Sequence, residues 1–511
     1  MRSPFCLHGP VRHLHSAYDD VRRRGWELVV GIEVHAQIKS RAKLFSNSWT
    51  STYDELANTH VDAFDAAFPG SLPRLNSSCV DLAIRTALGL NARIRRRSAF
   101  DRKHYFYSDL TSGYQITQNY APLATSGYVH LKKSNIDVRI KQIQLEQDTA
   151  KTTLEQRAGY SVIDLNRAGT GLMEIVSEPD IRSPEQAAEY IRTLQELLRA
   201  VGSCDGHMEQ GSLRCDVNVS VNRPGESLGT RCEIKNLNSV KSAMLAITSE
   251  TQRHVELLER GQHVFQETRG FSEAKAQTYS LRSKEDAPDY MYMPDPNLPP
   301  LLIDDAYVQR ILEQLPELPE QTRTRLRLRG LNDVDIDIMM SMDSIMEIGF
   351  DGKTGSKIVS YFDRVSQYRD PTVVAKWITQ RLCKELVARG LTATNNPVTA
   401  ERMGELIDMV QDGKITHGSG RRLLKYMLDS PSAKPPSLIA TELSLIALPI
   451  DDEALEEMCA EAIARMPEEV QSYKRGRVKV VDRLVGHVMK NSRGTANARA
   501  VAERFAAMLS K

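Results

Sequence analysis

The chain of 511 residues is 41% apolar, ordinary for a globular protein, and long enough for two to four domains. Its 67 Lys plus Arg almost cancel 66 Asp plus Glu, so overall charge neither demands nor excludes a nucleic-acid partner, and no stretch approaches the roughly eighteen uninterrupted apolar residues of a membrane span. Seven scattered cysteines without a CxxC pair support neither a disulfide framework nor a zinc ribbon, and fit a reducing compartment.

Residues 1–24 carry Arg2, Arg12, Arg22, Arg23 and Arg24 with His8, His13 and His15, no Glu, and acids only at Asp19 and Asp20. That composition is that of an organellar transit segment, the plainer alternative being an unstructured tail. From Leu28 to Ile38 the sequence alternates with period two, which predicts a strand with Leu28, Val30, Ile32, Val34, Ala36 and Ile38 on an apolar face and Glu33, His35 and Gln37 opposite. Residues 142–148 repeat the pattern, with Ile143 and Leu145 against Gln142, Gln144, Glu146 and Asp148. So do 213–221, with Arg214, Asp216, Asn218 and Ser220 outward, and 232–235, with Glu233 and Lys235 outward.

Between these strands Ser183-Pro-Glu185 reads as cap, first-turn proline and first-turn acid of a helix that Gly202 stops; Ser239 opens a second helix, ended by Gly261. Such helices cover the apolar face of an antiparallel sheet and leave the polar face open, an α+β arrangement. After Pro300 the strand pattern gives way to helices, with Ser432-Ala-Lys-Pro-Pro-Ser437 as the best linker. From Tyr473 the sequence is basic, with Lys474, Arg475, Arg477, Lys479, Arg483, Lys490, Arg493, Arg499, Arg504 and Lys511 against Asp482 and Glu503; this suits a polyphosphate partner, or simply a solvated helix face.

Residues i and i+2 of a strand share a face, so Glu33 with His35 and Glu146 with Asp148 are candidate ligand pairs for a hard cation, with magnesium the natural tenant. Imidazole is a poor magnesium ligand; His35 either orients a carboxylate or a ligand water, or marks a transition-metal preference. Arg214 and Lys235 lie on the same face, and Asp101-Arg-Lys-His-Tyr-Phe-Tyr107 adds Arg102 and Lys103 if it folds against the sheet. Fixed cations beside a divalent ion are what phosphoryl transfer needs. No P-loop and no GxGxxG after a strand is present, which leaves a sheet-face nucleotide site. The plain alternative is a sheet whose polar side merely faces water.

The same segments carry a recognisable series: Gly31-Ile-Glu-Val-His35, Phe68-Pro-Gly-Ser-Leu-Pro73, Asp101-Arg-Lys-His-Tyr-Phe-Tyr107, Asp164-Leu-Asn-Arg167, Glu174-Ile-Val-Ser-Glu-Pro-Asp180, Gly211-Ser-Leu-Arg-Cys-Asp216, Glu233-Ile-Lys-Asn-Leu-Asn-Ser239, Glu267-Thr-Arg269, Asp289-Tyr-Met-Tyr292 and Leu484-Val-Gly-His-Val-Met-Lys490. In this order they resemble the GatB family, a subunit of the glutamyl-tRNA(Gln)/aspartyl-tRNA(Asn) amidotransferase, of the organellar (mitochondrial) type. The resemblance implies a glutamine synthetase-like antiparallel-sheet cradle over residues 25–303, an all-α helical domain over 304–437 and a YqeY-like tRNA-binding tail over 438–511, behind the transit segment 1–24. It implies that ATP and Mg2+ activate the side-chain carboxylate of Glu-tRNA(Gln), a ligase chemistry. Ammonia would come from an amidase partner, the A-type subunit, in a heterotrimer closed by a small C-type subunit, in the mitochondrial matrix.

On this reading Glu33, His35, Glu146 and Asp148 hold metal and take part in catalysis, and Glu209 joins the metal or the ammonia path. Arg214, Asp216, Lys235, Lys151 and Arg102 bind the nucleotide. The sequence departs from the family in the early loop, where Ser46, Ser48, Asp62 and Asp65 stand in place of two zinc-binding cysteine pairs, so zinc is not expected. It also departs at Gln147 and Gln210, each in place of an acid. Two rival functions follow: a tRNA-binding scaffold whose chemistry those two glutamines weaken, and a free-standing carboxylate-amine ligase, against which the basic tail argues.

Overall fold

The computed structural model describes residues 20–52, 55–155, 159–283, 290–344, 348–353, 355, 357–446, 452–475, 480–492, 496 and 498–509. The expected transit segment therefore lies outside the described residues except at its end, and so do Arg477, Lys479, Arg493 and Lys511 of the basic run. The end of the supposed leader is part of the fold: Val21 is buried against Val221 and Val255, and Arg24 pairs with Glu259.

The chain divides into two units, one of residues 1–322 with 347–354 and one of 323–346 with 355–511. In the first, the strands in chain order are β1 (Glu27–Gln37), β2 (Arg93–Ile94), β3 (Arg97–Ser98), β4 (Asp101–His104), β5 (Tyr114–Thr117), β6 (Ala124–Leu131), β7 (Ile136–Gln147), β8 (Lys151–Glu155), β9 (Tyr160–Asp164), β10 (Gly171–Ser177), β11 (Leu213–Asn222), β12 (Cys232–Leu237), β13 (Glu267–Ser272), β14 (Gln277–Ser283), β15 (Met291–Pro294) and β16 (Leu301–Leu302). Nine of them form one sheet in the order β14-β13-β12-β11-β1-β10-β7-β6-β2. Every neighbour pairs antiparallel except β12 with β13. The alternation pattern marks four of these strands; β10, which separates β1 from β7, is among those it does not.

The apolar face is as the period-two pattern requires: Leu28, Val30, Ile32, Val34, Ala36 and Ile38 are all buried, under helices α1 (Ser77–Gly89), α2 (Pro184–Val201) and α3 (Val240–Glu259). The helix ends follow from local chemistry. Ser183 Oγ accepts from the Gln186 amide ahead of Pro184, Gly202 takes the left-handed conformation (φ 74°) at the other end, and Ser239 accepts from the Ser242 amide to open α3. A smaller sheet, β15-β4-β5, stands over the polar side of β7, joined to it where Gln115 Nε2 donates to the Gln147 carbonyl and Gln144 Nε2 donates to Thr117 Oγ1.

The first unit continues past residue 303. Helix α4 (Asp305–Glu313) packs Ile311 into the same core, and its Tyr307 hydroxyl donates to Asp81 of α1. The second unit is helical and has two apolar cores, one running from Leu326 to Leu445 and one from Leu455 to Leu509. Ile439 and Ala440, beyond the proline linker, belong to the first of these, so the changeover falls after residue 445 rather than at 437. Among the described residues no helix is long and apolar enough to cross a membrane.

Two buried charge sets tie the first unit together. In the early loop Lys43 Nζ donates to Asp65 Oδ2 (2.9 Å) and to the His60 carbonyl (2.7 Å), while Ser46 Oγ donates to the same carboxylate oxygen. At the β13–β14 edge the fully buried Glu250 of α3 faces His254 Nε2 (2.9 Å) and accepts from Arg253, from Thr278 Oγ1 (2.6 Å) and from Arg269 (3.1 Å). Burial alone would raise the Glu250 carboxyl, but His254 and Arg253 outweigh it and hold it well below the ordinary range. A depressed folded-state pKa contributes stability above the ordinary carboxylate pKa that is lost as pH falls. Glu250→Gln is thus expected to lower unfolding stability by about 1–3 kcal/mol at neutral pH, because it removes the charge that His254, Arg253 and Arg269 share and leaves the two arginines only Glu267, and to flatten the acid side of the stability profile; denaturant unfolding at stepped pH measures both.

Candidate active site

The polar side chains of β1 and its neighbours are brought together by register. His35 lies opposite Arg214 on β11 and Glu174 on β10, and Glu33 lies opposite Asp216. Glu146 stands on β7 opposite Leu172, one step from Glu174 on the same face. His35 Nε2 is 3.6 Å from Glu33 Oε1 and 3.5 Å from Glu146 Oε1. Glu33, His35 and Glu174 each bring one donor atom within 4.8 Å of the others, the spacing of a metal-ligand set.

This cluster is short of positive charge. Burial, then the neighbouring Glu146 and Glu33, push the Glu174 carboxyl well above the usual range, and Glu174 shares a hydrogen bond with Glu33. Burial and the two neighbouring acids thus favour the protonated form of Glu174. The cation that faces the cluster is Lys103, from β4 of the small sheet. Burial opposes its charge, but Glu146, Tyr292 and Glu174 outweigh burial and hold its pKa up. Its Nζ also sits 4.6 Å from the Tyr290 ring centre.

Beside this lies a second carboxylate in the opposite situation. Asp148 Oδ2 accepts from Arg214 Nη2 (2.9 Å) and Gln37 Nε2 (3.0 Å), with Arg167 Nε at 3.7 Å. Burial works against its ionisation, but Arg214 and Arg167 prevail and lower its pKa. On the far side Lys235 Nζ bridges Asp216 Oδ2 (3.3 Å) and Glu233 Oε1 (3.2 Å), and the Asn236 amide, at φ 60°, donates to Asp216 Oδ1.

The structure thus assembles Glu33, His35 and Glu146 as the pleat predicts, and adds Glu174, which the alternation pattern misses. Its strand offers a weak signal, because Leu172 and Val176 share its face and hide the period. Asp148, expected as a metal ligand, is instead hydrogen-bonded to Arg214 and Gln37 and lies outside the Glu33–His35–Glu174 donor set. Arg102 is corrected likewise: its Nε donates to Asp295 (2.7 Å) and its guanidinium lies 4.1 Å from the Tyr114 ring centre, so the adjacent Lys103 reaches the cluster instead. Lys151 is exposed on the β8–β9 hairpin and Glu209 is exposed on the turn before β11; neither joins the cluster. Gln147 follows Glu146 on β7 and turns to the other side of the strand, and Gln210 is exposed on the same turn as Glu209.

Residues 28–309 match the GatB/GatE catalytic domain family, and residues 360–509 match the GatB domain family that includes YqeY. The chain is 54% identical to the mitochondrial GatB-type subunit of the glutamyl-tRNA(Gln) amidotransferase of Laccaria bicolor, over 94% of this chain and 92% of the relative. It is 46% identical to the mitochondrial protein of the same name from Cryptococcus neoformans, covering 93% and 92%. It is 41% identical to the corresponding subunit of the aspartyl/glutamyl-tRNA(Asn/Gln) amidotransferase of Rickettsia felis, covering 94% and 97%. The chain therefore belongs to the GatB family, subunits of the glutamine-dependent tRNA amidotransferases, which are multi-subunit ligases, and stands with its mitochondrial members.

Proposed function

We propose that the polar face is where ATP and magnesium activate the side-chain carboxylate of Glu-tRNA(Gln), which ammonia then converts to the amide. The observation that carries this reading is the convergence of Glu33, Glu146 and Glu174 on His35, close enough that Glu146 and Glu33 raise the Glu174 carboxyl. Oxygen donors in excess of counter-charge fit a hard divalent cation. Glu33, Glu146 and Glu174 would hold the ion, and His35, between two of them, orients the carboxylates rather than leading the ligation. An ion held by these residues would supply neutralisation of the nucleotide's phosphate charge.

Lys103 enters from the small sheet, already desolvated and facing the acids, and neutralises the transferred phosphoryl group. Arg214 and Lys235, anchored by Asp148 and by Asp216 and Glu233, present their remaining N–H groups along the same face. In the first step a substrate carboxylate oxygen bonds to the γ-phosphorus as the bond to ADP breaks; in the second, ammonia nitrogen bonds to the acyl carbon and phosphate leaves. The six described cysteines are all buried, and burial pushes Cys79 and Cys204 to about 12, so none is poised to release ammonia from glutamine. An amidase partner of the A type supplies it, with a small C-type subunit completing a heterotrimer. The scaffold alternative rests on the basic tail, with the chemistry weakened by Gln147 and Gln210; Gln147 turns to the other side of its strand from Glu146 and Gln210 is exposed on the turn before β11. Zinc has no part in this reading.

In the assembled complex, Glu146→Gln and Lys103→Met are each expected to lower tRNA-dependent ATP cleavage by about 10^2-fold or more, with complex formation and tRNA binding intact. Undiminished ATP cleavage in either variant would remove the site assignment. Because Glu174 must shed its proton to bind a metal, magnesium affinity should rise with pH, and binding should release a proton. Titration calorimetry in buffers of different ionisation enthalpy reads that release, and Glu174→Gln is expected to abolish it.

A further inference from the structure

Four of the five residues 93–97 are arginine: Arg93, Arg95, Arg96 and Arg97. All four are exposed; they occupy β2, which ends the large sheet, β3, which pairs with β16 in a two-stranded sheet, and the link between them. Arg96 is neutralised by Asp305. Arg93, Arg95 and Arg97 have no ion pair among the described residues. The acids around them are engaged: Asp304 caps α4 through the Tyr307 amide, and Asp81 accepts from the Tyr307 hydroxyl. Exposed Arg74 and Arg310 add to the same surroundings. Arg74 adjoins Leu75, which lines a cleft of about 290 Å³ with Leu302, the register partner of Arg97, and Arg310 stacks on Tyr307 of the same cleft. A solvated charge run normally mixes its signs or carries its own counter-charges; this one holds no acid, and of its four arginines only Arg96 forms an ion pair among the described residues.

The run is also tied to the chemistry. Lys103 is six positions along the chain from Arg97, so their Cα atoms can be at most about 20 Å apart. A charged tRNA whose aminoacyl end reaches Lys103 must lay some of its backbone within that radius.

We propose that Arg93, Arg95 and Arg97 form a phosphate-contact surface on the catalytic unit that binds the RNA backbone near the acceptor end, separate from the basic helices of the C-terminal segment. The inference rests on Glu-tRNA(Gln) being the substrate. Guanidinium groups suit this role because each donates a planar fork to phosphate oxygens while carrying no sequence information. Binding through them releases counterions, so the contribution is read in salt dependence.

The test uses the assembled amidotransferase with misacylated Glu-tRNA(Gln), comparing wild type, the triple variant Arg93→Ser/Arg95→Ser/Arg97→Ser and the triple lysine variant. The serine variant is expected to raise KM for the tRNA about tenfold with kcat retained, and to flatten the slope of log affinity against log salt by about two to three. The lysine variant should keep most of that slope. An unchanged KM and slope in the serine variant, beside an active wild type, overturns the inference. So does a loss confined to kcat, which would mean the run only supports β4, or a failure of the complex to form, which would assign the surface to an acidic protein partner. A wild type that amidates no charged tRNA overturns the substrate reading itself.

Discussion

A pleated strand must send every second side chain to the same side, and in β1 that rule forces Glu33 and His35 out as surely as it buries Val34 and Ala36. The active-site acids are held by the core, not by one another. Each fully buried Val, Leu or Ile contributes about 1.5–3 kcal/mol, whereas keeping a carboxyl protonated one pKa unit above its ordinary value costs about 1.4 kcal/mol. Six buried apolar residues of the Leu28–Ile38 stretch anchor the strand against the repulsion among the acids on its other face. The sheet can hold a charge arrangement that would disperse on a flexible loop.

Two carboxyls on this face are pushed in opposite directions, although burial works against ionisation of both. Asp148 has Arg214, Arg167 and Gln37 around it, which lower its pKa; Glu174 has Glu146 and Glu33 beside it, which raise it further. Counter-charge, not burial, decides which is which. An ionised and already paired carboxylate fixes a guanidinium in place, while an under-compensated one needs a cation from outside. The division of labour between the Asp148–Arg214 pair and the Glu33–Glu146–Glu174 set follows from that count.

Much of this was legible in the sequence where one period ran undisturbed. Residues 28–38 and 213–221 alternate cleanly, and their faces fell as expected, as did the caps at Ser183 and Ser239. Glu174 stayed hidden because β10 is central in the sheet and largely buried, so Leu172, Met173 and Ile175 read as a continuous apolar run. Partner choice was less legible still. Nothing in Asp101-Arg-Lys-His104 says that Arg102 turns to Asp295 while Lys103 turns to the cluster; Asp295 lies 193 residues away along the chain, and only the pairing of β15 with β4 brings it near. The second half was legible as helical but not in its limits, since Ile439 and Ala440 pack backward across a proline linker that composition alone marks as a boundary.

The small sheet gives the site its asymmetry. Arg214 and Lys235 rise from the large sheet and are locked by acids of that same sheet, so their charge is spent locally and their position is fixed. Lys103 comes from a different layer, is surrounded by Tyr105, Tyr290 and Tyr292 rather than by a paired acid, and meets Glu146 and Glu174 across the gap between the layers. A cation held by aromatic faces and burial keeps its full attraction for whatever negative charge enters, because no carboxylate among the described residues forms an ion pair with it and the low dielectric does not screen it. If phosphate charge is handled on this face, the group that gains most from its arrival is Lys103, and the groups that gain least are the two cations the polar pattern made most conspicuous.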